Sequence, residues 1–177
     1  MSVTPLFTVV IPTYNQADYL KEAIDSVLAQ SFTEFEIVIV NNHSTDNTRD
    51  VIESFDDPRI TAIDFSNDGV IGAGRNVGIR AAKGDYVCFL DSDDTWYSEK
   101  LAEVAQVIQE DPEIGLICHD QDMVRDGVVE QQTNYGPPRN FSGKIYDYVL
   151  GASNGPSTSA TTVACSVLED VSGFSED

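Results

Sequence analysis

Apolar residues fall in short, separated runs, and the spacing inside them changes along the chain. Phe7 to Thr13 (FTVVIPT) is a β-branched run that Pro12 closes, and it predicts a strand. Ala17 to Gln30 carries Tyr19, Leu20, Ala23, Ile24, Val27 and Leu28 at helical spacing, which predicts a helix with one buried face. The alternation then repeats. Phe35 to Val40 (FEIVIV) predicts a second strand, after which Ser44 or Thr45 is placed to cap a helix carrying Val51, Ile52 and Phe55. A third strand is expected near Ile60 to Phe65. Beyond a glycine-containing loop come a helix around Arg75 to Ala82 and a fourth strand over Tyr86 to Leu90 (YVCFL). A helix over Leu101 to Ile108 and a strand over Ile114 to His119 follow.

Several of these strands are apolar throughout rather than at every second residue, so both of their faces must be covered. Strands of that kind alternating with helices imply an α/β fold, a doubly wound and mainly parallel sheet flanked by helices in the Rossmann-like manner. Such sheets bind ligands beyond the carboxyl ends of their strands. The informative residues are therefore Pro12-Thr13-Tyr14-Asn15, Asn41-Asn42-His43-Ser44 and Asp91-Ser92-Asp93-Asp94. Past Val124 the texture changes. Arg125-Asp126-Gly127 is a turn signal from which Val128 to Gln132 could return as a strand, and Tyr135-Gly136-Pro137-Pro138 reads as loop. Small and hydroxyl residues dominate Ser153 to Thr162.

At 177 residues, of which 41% are hydrophobic, a single domain over 1–177 with a real core is expected. The net charge of −20, with no cluster of Lys or Arg, argues against a nucleic-acid groove and against attraction to anionic lipid. No apolar stretch approaches the roughly 18 residues of a membrane span, and Met1-Ser2-Val3-Thr4-Pro5 lacks the regions of a signal peptide. A cytoplasmic chain without direct membrane insertion is expected. Cys88, Cys118 and Cys165 are odd in number, far apart and without metal spacing, so buried, reduced thiols are expected. The end, Gly173-Phe174-Ser175-Glu176-Asp177, lacks a finishing helix or polar tail and reads as a chain cut short.

Asp91-Ser92-Asp93-Asp94 directly follows the strongest apolar run, so three carboxylates crowd one turn. Two like charges about 5 Å apart repel by about 3 kcal/mol at an effective dielectric near 20, which a divalent cation such as Mg²⁺ or Mn²⁺ would relieve. The other reading is a solvated acidic loop that caps the next helix. Tyr14, after a Pro that fixes the turn, is placed to stack on a base or to pack on the first helix. Gly72, Gly74 and Gly78 have the spacing G-x-G-x-x-x-G after the third strand, which is no dinucleotide fingerprint and points to close packing of loop and helix. Arg75 and Asn76 are candidates for the strand-end site or for helix capping and surface charge.

Five motifs in order resemble the family 2 glycosyltransferases of the GT-A fold. They are Val9-Val10-Ile11-Pro12-Thr13-Tyr14-Asn15, the helix ending Ser26-Val27-Leu28-Ala29-Gln30, Ser44-Thr45-Asp46, Gly74-Arg75-Asn76-Val77-Gly78, and Gly84-Asp85-Tyr86 leading to Phe89-Leu90-Asp91-Ser92-Asp93-Asp94. The resemblance implies a nucleotide-sugar donor, most simply UDP-linked, whose sugar passes with metal assistance and inversion to the hydroxyl of a saccharide or lipid-linked acceptor. It implies Pro12 and Tyr14 beside the base, Asn42 where the family has an Asp on the uracil, Asp91 near the ribose, and Asp93 as ligand of Mg²⁺ or Mn²⁺. Arg75 and Asn76 stand as candidates for that donor site beside the capping and surface reading, and the resemblance implies a catalytic base beyond Asp177. Asn41-Asn42 departs from the usual acidic pair, which opens the way to another base. Two other readings stand beside this one. In a haloacid-dehalogenase-like phosphohydrolase Asp91 would be nucleophile and Asp93 acid; the second alternative is a non-catalytic fragment that binds sugar nucleotides.

Overall fold

The computed structural model describes residues 5–66, 68–125, 127–133 and 156–176. Met1 to Thr4, Asp126 of the expected turn, the loop at Tyr135-Gly136-Pro137-Pro138, the first part of the hydroxyl-rich stretch and Asp177 lie outside the described residues.

Strands β1 (Phe7–Thr13), β2 (Phe35–Asn41), β3 (Ile60–Asp64) and β4 (Tyr86–Phe89) run parallel in the spatial order β3-β2-β1-β4. Helices α1 (Ala17–Leu28), α2 (Thr48–Glu53) and α3 (Ile71–Ala81) form the crossovers, and α4 (Lys100–Glu110) follows β4. The chain winds outward from β1 to β3 and then returns to the far side of β1. The point where the winding reverses therefore lies between β1 and β4, where sheets of this kind open a crevice.

The continuous apolar runs are buried for the expected reason. On one face Val9, Ile11, Ile37, Ile39 and Cys88 pack with Leu20, Ile24 and Val27 of α1 and with Leu101 and Val104 of α4. On the other face Val10, Val87 and Phe89 pack with Ile79 of α3 and with Val163 and Leu168. β3 stands at the edge, with Ile60 and Ile63 partly buried and Thr61, Ala62 and Asp64 exposed.

Strand β5 (Leu116–Cys118) is shorter than the apolar run containing it, and the hairpin of β6 (Gln121–Arg125) and β7 (Val128–Thr133) forms around the turn signal. The unforeseen element is β8 (Thr161–Ala164), which inserts antiparallel between β4 and β5, followed by α5 (Cys165–Asp170). Its residues include two threonines, which form no apolar run. The neighbouring strands give it a place, with Thr162 Oγ1 donating to Cys88 Sγ at 3.3 Å. The sheet is thus mixed and mainly parallel.

Three differences from the expected elements have a visible cause. α3 begins at Ile71 rather than Arg75, because the glycines read as loop are helical and allow close approach. A Cβ on Gly78 would collide with Val10, and one on Gly72 would lie 2.6 Å from the Ser175 carbonyl oxygen. α1 stops at Leu28, and buried Gln30 turns inward, donating to the Tyr97 carbonyl at 2.7 Å and accepting the Leu101 N–H at 2.9 Å. Neither Ser44 nor Thr45 caps α2; Asn47 holds the N-cap position without a side-chain bond, and Asp46 just before it accepts the Thr48 N–H at 3.0 Å while its other oxygen accepts the Ala17 N–H of α1 at 3.2 Å. All three cysteines are unpaired; Cys88 is buried, whereas Cys118 and Cys165 are only half-buried. Among the described residues no helix is long and apolar enough to cross a membrane.

Candidate functional site

A cleft of about 340 Å³ opens over the carboxyl ends of β1, β2 and β4. Pro12, Tyr14, Asn42, Arg75, Asp91 and Asp93 all line it, so the structure gathers six of the seven residues singled out in the sequence. Thr13, Gln16, Val40, Phe65, Ile71, Gly74 and Ser92 complete the wall. Phe65 directly follows β3, so the rule that found the other strand-end residues reaches it too.

Two loops make the first wall. Asn15 and His43 adopt positive φ angles of 52° and 50°, which turn the chain sharply beside Tyr14 and Asn42. Hydrogen bonds hold the loops to each other. The Asn15 N–H donates to Ser44 Oγ at 3.0 Å, and the Thr45 N–H donates to Asn15 Oδ1 at 2.7 Å. Asn41 supports them from below, accepting the Ser44 N–H at 3.1 Å and donating to Asp64 Oδ1 at 2.8 Å. Tyr14 is 54% exposed, so its ring is presented to the cleft rather than spent in the packing of α1.

The acidic turn makes the second wall, and its three carboxylates have separate fates. Asp91 receives Arg75 Nη2 on Oδ1 at 2.5 Å and the Thr158 hydroxyl on Oδ2 at 2.9 Å. Asp94 is drawn inward, and burial pushes its carboxyl above the ordinary range; the Ser159 hydroxyl opposes that rise, while Asp93 and Asp91 add to it. Asp93 stays exposed on the cleft. Ser92, buried between them, donates its hydroxyl to Gln16 Oε1. The crowding read in the sequence is therefore relieved first by the chain itself. Arg75 neutralises Asp91, and among the described residues no three His, Cys, Asp or Glu side chains are grouped to hold a metal ion.

Arg75 is 13% exposed, lies with its guanidinium carbon 5.5 Å from the centroid of the Phe174 ring, and keeps its Nε buried without a hydrogen-bond partner among the described residues. Thr13 Oγ1 is buried and unpartnered as well. Both residues line the cleft, so it contains hydrogen-bonding capacity that the described residues leave unused.

Asn76 is the exception among the seven. It is buried behind the wall, donating to the Phe174 carbonyl at 2.9 Å and to Glu176 Oε1 at 2.7 Å while accepting the Phe174 N–H at 2.8 Å. Its neighbour in sequence points to the cleft because helical residues one apart face different ways. Sequence reasoning missed Thr158 and Ser159, whose only signal was the excess of hydroxyl residues around them.

Residues 8–168 match the family described as Glycosyl transferase family 2. The uncharacterized glycosyltransferase alr2836 of Nostoc sp. is 38% identical over 172 residues, covering 93% of this chain and 52% of its own length. The putative teichuronic acid biosynthesis glycosyltransferase TuaG of Bacillus subtilis is 38% identical over 108 residues, covering 60% of this chain and 43% of its own. The chain thus spans about half the length of these relatives. Among solved structures, S. aureus TarS 1-349 in complex with UDP-GlcNAc superposes with a TM-score of 0.73 at 25% identity over 94% of this chain and 47% of that one. The fold is the GT-A type, the acidic turn stands in a glycosyltransferase frame rather than a phosphohydrolase one, and the chain belongs to glycosyl transferase family 2.

Proposed function

We propose that the cleft binds a nucleoside-diphosphate sugar, UDP-linked, and that the protein transfers its sugar to the hydroxyl of a saccharide or lipid-linked acceptor in polysaccharide biosynthesis in the cytoplasm. The observation that carries this reading is the meeting, in one cleft, of an exposed aromatic ring, an amide and an acidic turn with its arginine. An aromatic at a strand end stacks on a base at about 1 to 3 kcal/mol. The Asn42 amide supplies an acceptor and a donor, which suits the N3–H and O4 edge of uracil. S. aureus TarS, solved with UDP and with UDP-GlcNAc, is a poly(ribitol-phosphate) beta-N-acetylglucosaminyltransferase, and it supports a uridine donor here.

The donor set suits a hard cation with few protein ligands. Mg²⁺ and Mn²⁺ accept one or two carboxylates together with phosphate oxygens and water, and Asp93 is the carboxylate that remains open on the cleft. When bound, such an ion supplies charge stabilisation to the departing diphosphate. The residues of the chain do the rest. Tyr14 and Pro12 orient the base, Asp91 is held near the ribose, and Arg75 keeps the Asp91 carboxylate compensated beside an anionic ligand. Glu176 accepts from Asn76 behind the wall, and the proposed base that activates the acceptor for direct, inverting attack is an acidic residue beyond Asp177.

Titration calorimetry of UDP, GDP, dTDP and CDP with Mn²⁺ tests the reading. UDP should bind, and Asp93→Ala should abolish the metal-dependent part while the melting temperature stays within about 1 °C, because Asp93 is exposed. Equal UDP affinity with and without Mn²⁺ contradicts the metal role; no binding by any of the four contradicts the donor site.

A further inference from the structure

The hydroxyl-rich stretch is unassigned by the donor-site reading, yet the 3₁₀ turn inside it, Thr158–Ala160, lies beside the acidic turn at the end of the neighbouring strand β4. Thr158 Oγ1 donates to Asp91 Oδ2 at 2.9 Å and accepts from Arg75 Nη2 at 3.2 Å, closing a three-membered ring with the Arg75–Asp91 ion pair. The next residue acts on the backbone. Ser159, 1% exposed, accepts the Asp91 N–H on Oγ at 3.0 Å and the Trp96 indole N–H on its carbonyl oxygen at 3.0 Å. Trp96 is itself buried in the main core. Two consecutive residues thus fix Asp91 at both its carboxylate and its amide and anchor the far end of the turn to the core.

We infer that Thr158 and Ser159 are positioning residues for the donor site: they hold the Asp91–Arg75 pair and the acidic turn in the register that leaves Asp93 open on the cleft. The inference rests on the donor-binding reading, since positioning matters only if the cleft takes a sugar nucleotide. The chemistry is specific to the hydroxyls. Thr158 must donate to a carboxylate and accept from a guanidinium at once, which Ser can do and Val, of nearly the same shape, cannot. Antiparallel insertion of β8 is what brings the turn to this place. Thr161 directly follows it, and the pairing of Thr162 with Cys88 sets its distance from the end of β4.

The test uses the whole chain and four variants: Thr158→Val, Thr158→Ser, Ser159→Ala and, as a surface control, Ser166→Ala. Amide hydrogen exchange at Asp91 reads the positioning without any ligand. It should quicken about tenfold or more in Thr158→Val and Ser159→Ala, stay near wild type in Thr158→Ser and the control, and leave the amides of β1 unchanged. Calorimetry with UDP and Mn²⁺ reads the consequence, a roughly tenfold weaker affinity in the two hydroxyl-less variants with recovery to within about twofold in Thr158→Ser. Unchanged Asp91 exchange in both hydroxyl-less variants overturns the inference. So does faster exchange with unchanged affinity, which would make the contacts merely structural. Failure of the wild-type chain to bind UDP overturns the donor-site reading instead, and the exchange arm still decides whether the hydroxyls hold the turn.

Discussion

The two ends of the sheet carry similar polar residues and use them in opposite ways. β1 has a buried threonine near each end. At the amino end Thr8 Oγ1 donates to Glu36 Oε1 at 2.8 Å and accepts the Gly84 N–H at 3.0 Å. Glu36 also accepts the Lys83 N–H at 2.7 Å, with the Lys83 ammonium 3.4 Å away. That end is closed on itself. At the carboxyl end Thr13 Oγ1 and Arg75 Nε have no partner among the described residues, Tyr14 stands exposed and Asp93 faces the cleft. A buried hydrogen bond left unmade costs about 1 to 3 kcal/mol, so the carboxyl end holds a deficit that a ligand can make good. The difference separates groups that stabilise the fold from groups that await a partner, although both sets are polar and both sit at strand ends.

The comparison breaks first if the amino end turns out to govern binding. A Cβ on Gly84 would meet the Phe7 carbonyl carbon and the Thr8 nitrogen at 2.7 Å, backbone atoms that cannot step aside. Gly84→Ala should cost about 3 kcal/mol, a fall of roughly 6 to 12 °C in melting temperature, while the folded fraction binds UDP and Mn²⁺ as before. A variant with wild-type melting and lost UDP binding would reverse the assignment of the two ends. Asn76→Ala comes next, at about 2 kcal/mol, because three hydrogen bonds to Phe174 and Glu176 lose their partner at a buried site. Its stability loss should exceed any loss of UDP affinity, as expected of a residue behind the wall; the opposite order in a melting and calorimetry pair would return Asn76 to the donor site.

The same contrast explains what the sequence made legible. β1, β2 and β4 could be read because burial on both faces writes itself as an unbroken apolar run, and the acidic turn could be found because it stands directly after such a run. Pairings across the chain left no such mark. Arg75 meets Asp91 because α3 starts at Ile71, and a start read at Arg75 gives no reason for the contact. β8 was invisible because Thr161 and Thr162 gain their burial from β4 and β5 on either side, which no local pattern encodes. Ser159 and Thr158 shared that obscurity: a hydroxyl-rich stretch looks the same whether its hydroxyls meet water or a carboxylate 67 residues earlier.

Two smaller effects sharpen the picture at the carboxyl end. Tyr14→Ala removes an exposed ring, so UDP affinity should fall about tenfold, roughly 1.4 kcal/mol, with melting unchanged within about 1 °C. Equal affinity in the variant would mean that the base lies elsewhere.

Asp94 should give the smallest effect and the one whose sign is most telling. Glu36 at the closed end has a hydroxyl, a backbone amide and a lysine around it, whereas Asp94 is drawn inward with the Ser159 hydroxyl and feels the charges of Asp93 and Asp91. Burial raises its folded pKa above the ordinary 3.8, so the folded state holds the Asp94 proton more tightly than the unfolded chain does. The stability this contributes is fully present below 3.8 and is lost as pH rises through the folded pKa. Asp94→Asn retains an acceptor for the Ser159 hydroxyl and has no charge to desolvate. It should therefore melt higher than wild type at pH 7, and the gap should close as the pH is lowered toward 3.8. A variant that melts lower at pH 7 would show that the carboxylate's hydrogen bonding outweighs its desolvation, and the carboxyl end would then be as closed as the other.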